Sequence, residues 1–361
     1  MAVTVKRLGI LTGGGDAPGL NAVIRAAVKA ATHAGMECVG LEDGFDGLMH
    51  PERARCLTLR DVAGIHRLGG TILGTTNRGN PLATRPVPGV DPATYAARCK
   101  DNFRTLDLQG LIAVGGDGTL AIAHDFHGRG LPIIGVPKTI DNDLVETALT
   151  VGFDSAVACA TDAIDRLHTT ADAHHRVMVL EVMGRYTGWI GLYSGIAGGA
   201  DIVLIPEIPF QFDKIAARIR ERERLGARCS IVVAAEGACP AGGVRSVAAA
   251  ATMGQEERLG GIAERVASEL RRLTGRDVRC DVLGHLQRGG PPTCGDRVAA
   301  TRFGAFAVEL AGRGEFGVMV ALQPPDLVAV PLDRVVGRTH AIEVDSDLIR
   351  TARSIGICFG D

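Results

Sequence analysis

Two short acidic segments of this chain have the residue types needed for chemistry on a phosphate group. Residues 115–119 read Gly-Gly-Asp-Gly-Thr, and residues 139–143 read Thr-Ile-Asp-Asn-Asp. Each follows an apolar run typical of a buried strand, and parallel strands bring such turns together at the sheet edge where ligands bind. The first segment offers backbone N–H groups and one carboxylate, which suit a polyphosphate and Mg²⁺. The second offers two carboxylates, and one of them could deprotonate a hydroxyl group.

A phosphate cradle, a metal-binding carboxylate and a base are the parts that phosphoryl transfer to an alcohol requires. The two segments therefore predict a kinase that acts on a small, sugar-like substrate. Each segment also has a purely structural interpretation, in which Asp117 caps a helix and the acids of residues 139–143 hold a turn through backbone hydrogen bonds. Two neighbouring carboxylates repel each other when both are ionised. That repulsion favours the functional interpretation, in which bound or nearby cations compensate it.

A third glycine-rich segment, Gly-Gly-Gly-Asp-Ala-Pro-Gly at residues 13–19, lies between a predicted strand and a predicted helix. Glycines let the backbone approach a phosphate, and the N-terminus of the following helix favours negative charge. A dinucleotide site would need the pattern Gly-x-Gly-x-x-Gly, but Pro18 stands where the third glycine belongs. Glu42 and Asp43 keep a dehydrogenase open as a minor alternative, and a tight turn without a ligand is another. No Gly-Lys-Ser/Thr occurs, so the chain is not a P-loop enzyme.

The composition excludes several classes of function. The net charge is −2 and aromatic residues make up 4% of the 361 residues, so the chain lacks the basic, ring-bearing surface of a nucleic-acid-binding protein. The nine cysteines form no Cys-x-x-Cys pair, which indicates free thiols in a reducing cytoplasm. No apolar run reaches the roughly 18 residues that span a bilayer, and the N-terminus runs directly into a strand pattern. We therefore expect a cytoplasmic protein without a membrane or nucleic-acid partner.

Strand patterns alternate with amphipathic helix patterns along the whole chain, which predicts a parallel α/β fold. A second series of strands begins near residues 151–154, and residues 289–292 mark another change of direction. Two α/β units that face each other across a cleft could hold a phosphate donor on one side and its acceptor on the other. The predicted strands are residues 7–11, 37–41, 111–114, 133–136, 177–182, 201–205, 230–235 and 281–283.

Charged side chains near the ends of the second series of strands are candidates for binding an anionic substrate. Arg176 and Arg185 flank one predicted strand, and guanidinium groups pair well with phosphate oxygens. Glu236 follows another strand and could bind sugar hydroxyls, while His285 and Arg288 could clamp a phosphate. The chain contains 34 arginines, however, so any single one could equally be a surface charge.

Five motifs, in this order, resemble those of the 6-phosphofructokinase family, and the resemblance covers nearly the whole chain. They are Gly-Gly-Asp-Ala-Pro-Gly at 14–19, Gly-Gly-Asp-Gly-Thr at 115–119, Thr-Ile-Asp-Asn-Asp at 139–143, Glu-Val-Met-Gly-Arg at 181–185 and Leu-Gly-His-Leu-Gln-Arg-Gly-Gly at 283–290. The resemblance implies two Rossmann-like, three-layer α/β/α domains with mostly parallel sheets and an active site in the cleft between them. Residues 1–152 with about 287–337 would form the phosphate-donor domain, and residues 153–286 with about 338–361 the fructose 6-phosphate domain.

The resemblance also implies a reaction and the residues that catalyse it. The γ-phosphoryl group of ATP, with Mg²⁺ as cofactor, would be transferred to O1 of fructose 6-phosphate, giving fructose 1,6-bisphosphate and ADP. Asp141 matches the general base that takes the proton from the sugar hydroxyl, and Thr139 matches a residue that contacts the transferred phosphoryl group. Asp117 matches the Mg²⁺ carboxylate, and Asp143 matches a residue that supports the metal and the transition state.

The remaining site residues of the family map onto further positions of this chain. The nucleotide-binding loops match Gly14, Gly116, Asp117, Gly118 and Thr119. The fructose 6-phosphate pocket matches Thr139, Asp141, Met183, Gly184, Arg185, Glu236, His285 and Arg288. Arg176 and Arg279 match arginines that reach in from a neighbouring subunit. The resemblance thus implies a homo-oligomer with shared sites, and a tetramer in preference to a dimer.

Two positions, Asn77 and Lys138, depart from the familiar bacterial ATP enzymes, whereas Gly118 agrees with them. Asn77 stands where those enzymes carry an arginine against the transferred phosphate, and the neighbouring Arg78 could take its place. Pyrophosphate-using relatives carry Asp where this chain has Gly118, and they carry Lys where ATP enzymes have Gly; here that residue is Lys138. Gly118 favours ATP, because a blocking carboxylate is harder to evade than an added cation is to tolerate. A pyrophosphate-dependent enzyme and, more distantly, a non-catalytic sugar-phosphate sensor remain the alternatives.

Overall fold

The computed structural model describes residues 5–77, 79–82, 91–249 and 258–361. In chain order the strands are β1 (Arg7–Thr12), β2 (Glu37–Leu41), β3 (Ala54–Leu57), β4 (Gly110–Gly115), β5 (Ile133–Pro137), β6 (Val177–Val182), β7 (Ile202–Leu204), β8 (Ser230–Ala235), β9 (Val247–Ala249), β10 (Arg258–Leu259), β11 (Val278–Val282), β12 (Val318–Gln323) and β13 (Asp326–Pro331). The helices are α1 (Leu20–His33), α2 (Asp46–Met49), α3 (Pro92–Thr105), α4 (Asp117–Gly128), α5 (Phe153–His174), α6 (Trp189–Ala197), α7 (Phe212–Arg224), α8 (Ile262–Thr274), α9 (Cys294–Arg313) and α10 (Asp347–Ser354), with 3₁₀ turns η1 (Pro51–Arg53), η2 (Ile65–Arg67), η3 (Gly284–Arg288) and η4 (Leu332–Arg334). Within those ranges, no helix combines the length and the apolar character needed to cross a membrane.

Most of these strands belong to two largely parallel sheets. The larger sheet has the strand order β13-β12-β5-β4-β1-β2-β3, and the smaller sheet has the order β11-β6-β8-β7. In the larger sheet as described, the antiparallel pairs are β2–β3 and β12–β13, both at its edges. β9 and β10 form a separate antiparallel pair. The predicted α/β fold with mostly parallel sheets is therefore confirmed.

The strand predictions differ from the structure mainly at the sheet edges. The strand predicted at 281–283 is β11, which begins earlier, at Val278. Its first residues could not be predicted as a strand, because β11 is an edge strand whose exposed polar residues interrupt the apolar pattern. The prediction omits β3, β9, β10, β12 and β13. Two consecutive prolines, Pro324 and Pro325, separate β12 from β13. Prolines are uncommon inside sheets, so this region of the sequence is more typical of a loop than of two paired strands.

Each sheet carries helices on both faces, so its central strands are buried. Every residue of β4 and β5 is buried, which is typical of parallel strands covered on both sides. Helices α1 and α9 pack on one face of the larger sheet, and α3 and α4 pack on the other. Helices α5 and α6 cover one face of the smaller sheet, and α7 and α8 cover the other. The chain thus forms two three-layer α/β/α units.

A buried carboxylate joins the two units at the start of α5. Asp296, in the first turn of α9, accepts hydrogen bonds from the backbone N–H groups of Gly152 and Ser155, each at 2.8 Å. The Ser155 hydroxyl donates to the same carboxylate at 2.5 Å. Helix N-termini leave such N–H groups unpaired, so a helix of the larger unit caps the start of α5 in the smaller one. This contact fixes the start of α5, nine residues after the end of the turn at residues 139–143.

Candidate active site

The larger sheet changes winding direction between β1 and β4. From β1 the chain goes to β2 on one side, and later it continues to β4 and β5 on the other side. Ligands of open α/β sheets bind at the carboxyl ends of the strands at such a point. The segments at residues 13–19, 115–119 and 139–143 follow β1, β4 and β5, which are consecutive neighbours in the sheet. The structure therefore brings all three segments together at one edge, and they are called here the first turn (residues 13–19), the second turn (residues 115–119) and the third turn (residues 139–143).

The turns after β1 and β4 are in close contact. Gly13 donates its N–H to the Val114 carbonyl at 2.9 Å, and a Cβ atom on Gly13 would lie 2.7 Å from the hydroxyl oxygen of Thr119. Gly14 has a φ of +76°, and its N–H donates to the Thr76 carbonyl at 3.0 Å. Glycine is therefore required at both positions, and the lack of side chains lets a phosphate approach the backbone.

Helix α4 begins within the second turn. Gly116 is its N-cap and Asp117 is its first residue, so Asp117 is not the N-cap of the purely structural interpretation. The Asp117 carboxylate is exposed and accepts a hydrogen bond from the Gly337 N–H at 3.2 Å. A Cβ atom on Gly118 would meet no described atom within 4 Å. Backbone N–H groups, open space and the positive end of the helix dipole suit a polyphosphate.

Asn142 braces the third turn and leaves its two acids available. Asn142 has a φ of +52°, and its side-chain oxygen accepts the Thr150 N–H at 3.0 Å. The Thr139 hydroxyl oxygen accepts the Asp141 N–H at 3.1 Å. Asp141 and Asp143 each keep one buried carboxylate oxygen, Oδ1, without a hydrogen-bond partner among the described residues. Buried polar atoms are nearly always paired, so these two oxygens indicate a site for a hydroxyl group or a cation.

The environment of the third turn raises the pKa of both acids. Burial raises the pKa of the Asp141 carboxyl to about 7, and the negative charge of Asp143 contributes in the same direction. Arg288 and Arg185 act against this pKa shift at Asp141. Burial also raises the pKa of Asp143. A carboxyl group whose pKa lies near neutral pH is well matched to general-base catalysis.

Lys138 lies between the glycine turn after β1 and the third turn. Its side chain is buried, with 3% exposed, and Nζ donates a hydrogen bond to the Gly15 carbonyl. Burial lowers the pKa of Lys138 to about 8, and the positive charge of Arg288 contributes to this, while Asp16 and Asp141 act in the opposite direction. A cation at this junction compensates part of the repulsion between the neighbouring carboxylates.

Arg288 reaches the same junction from η3. Its Nη1 donates to the Asp16 carbonyl at 3.1 Å, and a Cβ atom on Gly15 would lie 2.6 Å from that nitrogen. The residue comes from the end of the smaller sheet, yet its guanidinium group lies against the glycine turn of the larger one. Its predicted role in binding the sugar phosphate stays a prediction, and the structure adds a contact with the donor side.

The carboxyl ends of β6, β8 and β11 surround a cavity of about 280 Å³, near the lower end of the volumes typical of ligand pockets. Met183, Glu236 and His285 line this cavity. Burial raises the pKa of Glu236. Gly184 has a φ of +147°, and a Cβ atom there would lie 2.5 Å from the Thr187 carbonyl oxygen. The structure thus brings these predicted substrate residues together, and Gly184 is needed for the turn beside them.

Residues 183–188, here called the acceptor loop, connect this cavity to the third turn. The Arg185 N–H donates to Glu236 Oε1 at 3.1 Å, and the Thr187 hydroxyl donates to the Asp141 carbonyl at 3.3 Å. The same loop therefore contacts a cavity-lining carboxylate and the backbone of the candidate base. One short loop therefore links the cavity to the turn that carries Asp141.

Arg176 and Arg279 lie near the amino ends of β6 and β11, away from the carboxyl ends that surround the cavity. Arg176 precedes β6, and Arg279 is the second residue of β11. Both pair with Asp277, Arg176 at 2.6 Å and Arg279 at 3.0 Å. Along the strands, Arg176 lies about 20 Å from the carboxyl end of the six-residue β6, and Arg279 lies about 10 Å from Val282, which lines the cavity. The structure does not bring these two arginines into the chain's own site.

Two residues that shape the cavity, Gln287 and Glu181, are not among the predicted site residues. The Gln287 side-chain oxygen accepts the Met183 N–H at 2.8 Å. The buried Glu181 lines the cavity, and its carboxylate accepts the Gly261 N–H at 3.1 Å, next to the start of α8. Both residues lie within the motifs at 181–185 and 283–290, so a signal for them was present. Their role is to hold backbone groups around the pocket.

Arg78 lies outside the described residues, and the neighbouring Asn77 is exposed. Across the described ranges, no three His, Cys, Asp or Glu side chains are grouped so that they could hold a metal ion by themselves. A metal at this site would therefore need ligands from a substrate or from water as well.

The fold and the site together define a class of protein. A helix N-terminus beside bare glycine backbone, next to a buried base and a second pocket, suits phosphoryl transfer to an alcohol. The sequence profile of the family described as "Phosphofructokinase" matches residues 7–311. The ATP-dependent 6-phosphofructokinase of Chloroflexus aggregans is 53% identical over 363 residues, covering 100% of this chain and 99% of the relative. The chain belongs to the phosphofructokinase family.

Solved structures of phosphofructokinases share this fold. The Pichia pastoris phosphofructokinase in the T-state has a TM-score of 0.79 and 30% sequence identity, over 91% of this chain and 35% of that one. The present chain thus spans about a third of the length of the yeast chain. The pyrophosphate-dependent phosphofructokinase of Nitrosospira multiformis has a TM-score of 0.80 and 22% identity, over 99% of this chain and 93% of that one. At that identity the likeness concerns the fold alone.

Proposed function

We propose that this protein transfers the γ-phosphoryl group of ATP to O1 of D-fructose 6-phosphate, giving fructose 1,6-bisphosphate and ADP. The Asp141 carboxylate is the observation that carries the proposal. It is buried, its pKa is raised towards neutral pH, and one oxygen has no hydrogen-bond partner in the described part of the chain. It stands between the phosphate-suited turns and the loop that leads to the cavity. The relative at 53% identity carries the name ATP-dependent 6-phosphofructokinase.

Each part of the site has a role in the proposed reaction. Asp141 takes the proton of the 1-hydroxyl as that oxygen attacks the γ-phosphorus and the bond to ADP breaks. Thr139 contacts the transferred group, and Asp143 supports the charge that develops on it. The residues proposed to bind ATP are Gly14, Arg78, Gly116, Asp117, Gly118 and Thr119. Those proposed to bind the sugar phosphate are Thr139, Asp141, Met183, Gly184, Arg185, Glu236, His285 and Arg288, with Arg176 and Arg279 from a neighbouring subunit.

The residues present fit Mg²⁺. Asp117 is exposed at the start of α4, and Asp143 has a buried oxygen, Oδ1, that has no hydrogen-bond partner among the described residues. Mg²⁺ usually binds through one or two protein carboxylates and completes its shell with water and substrate phosphates. We infer that Asp117 and Asp143 hold it, with Asp117 as the direct ligand. When bound, the ion neutralises charge on the phosphates of the donor.

The donor preference follows from Gly118 and Lys138. Gly118 leaves open space at the N-terminus of α4, which the α-phosphate of ATP requires. Lys138 Nζ is bound beneath the glycine turn at Gly15, where it can lie against the β- or γ-phosphate of ATP without obstructing the rest of the nucleotide. The buried lysine also keeps pyrophosphate open as a second candidate donor, because its charge suits a short, highly charged phosphate.

The wider organisation of the protein is part of the proposal. We infer that residues 1–152 with about 287–337 form the donor domain, because α9, β12 and β13 pack with the larger sheet. Residues 153–286 with about 338–361 would form the acceptor domain, since α10 packs in the core of the smaller sheet. The placement of Arg176 and Arg279 away from the chain's own cavity supports a homo-oligomer with shared sites. The proposed state is a tetramer rather than a dimer, as the family resemblance implies. The proposed compartment is the cytoplasm.

The proposed function is tested by measuring fructose 1,6-bisphosphate formation from fructose 6-phosphate and Mg²⁺ with ATP or with pyrophosphate. We expect turnover with ATP and little or none with pyrophosphate. Turnover with pyrophosphate alone would assign the dominant role to Lys138. No turnover with either donor, but binding of fructose 6-phosphate, would support a sugar-phosphate sensor instead.

The activity should depend on pH through Asp141. The base must be ionised, and burial together with Asp143 raises the pKa of Asp141 to about 7. We therefore expect kcat/KM for fructose 6-phosphate to fall about tenfold per pH unit below that pKa and to level off above it. The sugar phosphate also titrates near pH 6, so Asp143→Asn serves as the control. That change removes a charge that raises the pKa of Asp141, and it should move the acidic limb to lower pH; an unmoved limb would assign it to the substrate.

A further inference from the structure

Residues 337–342, here called the C-terminal strap, run between the two units beside the proposed site. The strap follows η4 and precedes α10. At its start, the Gly337 N–H donates to the Asp117 carboxylate at 3.2 Å. At its end, the Ile342 N–H donates to Glu207 Oε1 at 3.1 Å, and the same oxygen accepts the Gly188 N–H at 3.1 Å. One short segment therefore contacts the donor turn at one end and the last residue of the acceptor loop, through Glu207, at the other.

His340, in the middle of the strap, holds the third turn (residues 139–143) by two hydrogen bonds. Its backbone N–H donates to the Asp143 carbonyl at 2.7 Å, and its ring Nδ1 lies 3.2 Å from the Asn142 carbonyl oxygen. A carbonyl oxygen only accepts, so Nδ1 carries the hydrogen in this contact. Both contacts fall on the two residues that directly follow Asp141. The side chain thus binds the backbone of the turn and not its carboxylates.

Trp189 anchors His340 from the opposite side. The indole Nε1–H donates to the His340 carbonyl at 2.7 Å, and the two rings lie 4.8 Å apart between centroids with an interplanar angle of 34°. Trp189 is the first residue of α6 and directly follows the acceptor loop. His340 therefore connects the third turn to α6, the helix that follows the acceptor loop.

We propose that His340 is a positioning residue for phosphoryl transfer, and that it sets the place of Asp141 by bracing Asn142 and Asp143 against Trp189. The proposal rests on the proposed function. Asn142 has a φ of +52°, a left-handed conformation that Asn tolerates better than most residues but less well than glycine, so we expect the bonds from His340 to help hold the turn in place. Misplacing a reacting group by about 1 Å can lower a rate by about 10²-fold. Because His340 does not line the cavity, we expect its removal to lower kcat and to leave KM nearly unchanged.

The test compares three substitutions that remove different parts of His340. His340→Ala removes both the ring and the bond to Asn142, and we expect kcat to fall by about 10- to 100-fold with KM values within about threefold. His340→Phe keeps a ring against Trp189, and His340→Asn keeps a side-chain N–H close to the position of Nδ1. Each of these two variants should recover part of the loss. A kcat within about twofold of wild type for His340→Ala would overturn the proposal.

His127→Ala is the matched control. His127 Nδ1 lies 3.1 Å from the Leu131 carbonyl oxygen, a bond of the same kind at the far end of α4. We expect a similar change in thermal stability and an unchanged kcat. If kcat fell in both variants in proportion to the loss of Tm, His340 would have a structural role only, and the proposal would fail.

Amide hydrogen exchange makes the result independent of turnover. We expect faster exchange at residues 139–143 in His340→Ala than in wild type, and no change there in His127→Ala. Unchanged exchange at the turn would overturn the proposal even if wild type proved inactive. An inactive wild type with faster exchange in His340→Ala would instead contradict only the proposed function.

Discussion

Replacement of Asp141 by Asn is expected to lower kcat by about 10²- to 10⁴-fold, with less than about a threefold change in KM for fructose 6-phosphate. The amide has the size and shape of the carboxylate and can still accept a hydrogen bond from the sugar hydroxyl. It cannot take the proton, so the loss appears in the transition state rather than in the ground state. Steady-state kinetics with ATP and fructose 6-phosphate, at a pH above the pKa of Asp141, measure both quantities.

Asp201→Asn is the matched control for this substitution. Asp201 is also a carboxyl group whose pKa burial raises, and it accepts the Ile231 N–H at 2.8 Å and pairs with Arg222 at 2.8 Å. It lies at the start of β7, away from the carboxyl ends of the strands that surround the cavity. We expect this variant to lose stability and to keep kcat within about twofold. An Asp141→Asn enzyme that retained kcat within about tenfold of wild type would contradict the assignment of the base.

The three turns at the carboxyl ends of β1, β4 and β5 could be predicted, because their positions depend on local patterns of the sequence. Each of the segments at 13–19, 115–119 and 139–143 directly follows an apolar run, and the length of these runs indicates buried strands. Parallel strands end at one edge of a sheet, so no knowledge of distant contacts was needed to expect the segments close together. The same alternation of strands and helices predicts the α/β fold itself.

The C-terminal strap could not be predicted, because its contacts join residues that are far apart in the sequence. His340 and Asn142 are separated by 198 residues, and Gly337 and Asp117 by 220. The strap residues show neither apolar periodicity nor a motif, and four of the six are exposed. Their positions depend on the packing of α10 and Ile342 in the core of the smaller unit. Such information is a property of the folded chain and not of any local pattern.

Arg288 shows how a residue type can be predicted while its contacts are not. Its sequence position placed it with the sugar-phosphate residues, and the large number of arginines gave little weight to any one of them. The structure places its guanidinium group 3.1 Å from the Asp16 carbonyl, close enough to Asp141 to lower the pKa of that carboxyl. A cation in this place is near both the glycine turn and the base. It can therefore stabilise negative charge that moves between donor and acceptor.

Gly118→Asp should lower kcat/KM for ATP by about 100-fold or more and leave the affinity for fructose 6-phosphate unchanged. A Cβ atom at this position meets no described atom within 4 Å, and the φ of Gly118 is not in the left-handed region, so the chain accepts the side chain without strain. An acid in the first turn of a helix is also favourable for the fold. The loss of ATP use therefore reports on the ligand, because the new carboxylate occupies the space of the α-phosphate and repels it. A tenfold change corresponds to about 1.4 kcal/mol, so the expected effect is at least about 2.8 kcal/mol.

Two further variants separate the causes of this loss. Gly118→Asn fills the same space without charge, so any remaining activity with ATP divides the effect between steric exclusion and repulsion. Gly128→Asp places the same acid at the other end of α4, where a Cβ atom again meets nothing described within 4 Å, and we expect it to leave ATP kinetics unchanged. Pyrophosphate lacks an α-phosphate bound to a nucleoside, so the Gly118→Asp enzyme should keep whatever pyrophosphate activity the wild type has. If Gly118→Asp used ATP as well as wild type does, Gly118 would not select the donor, and Lys138 would have to account for the preference.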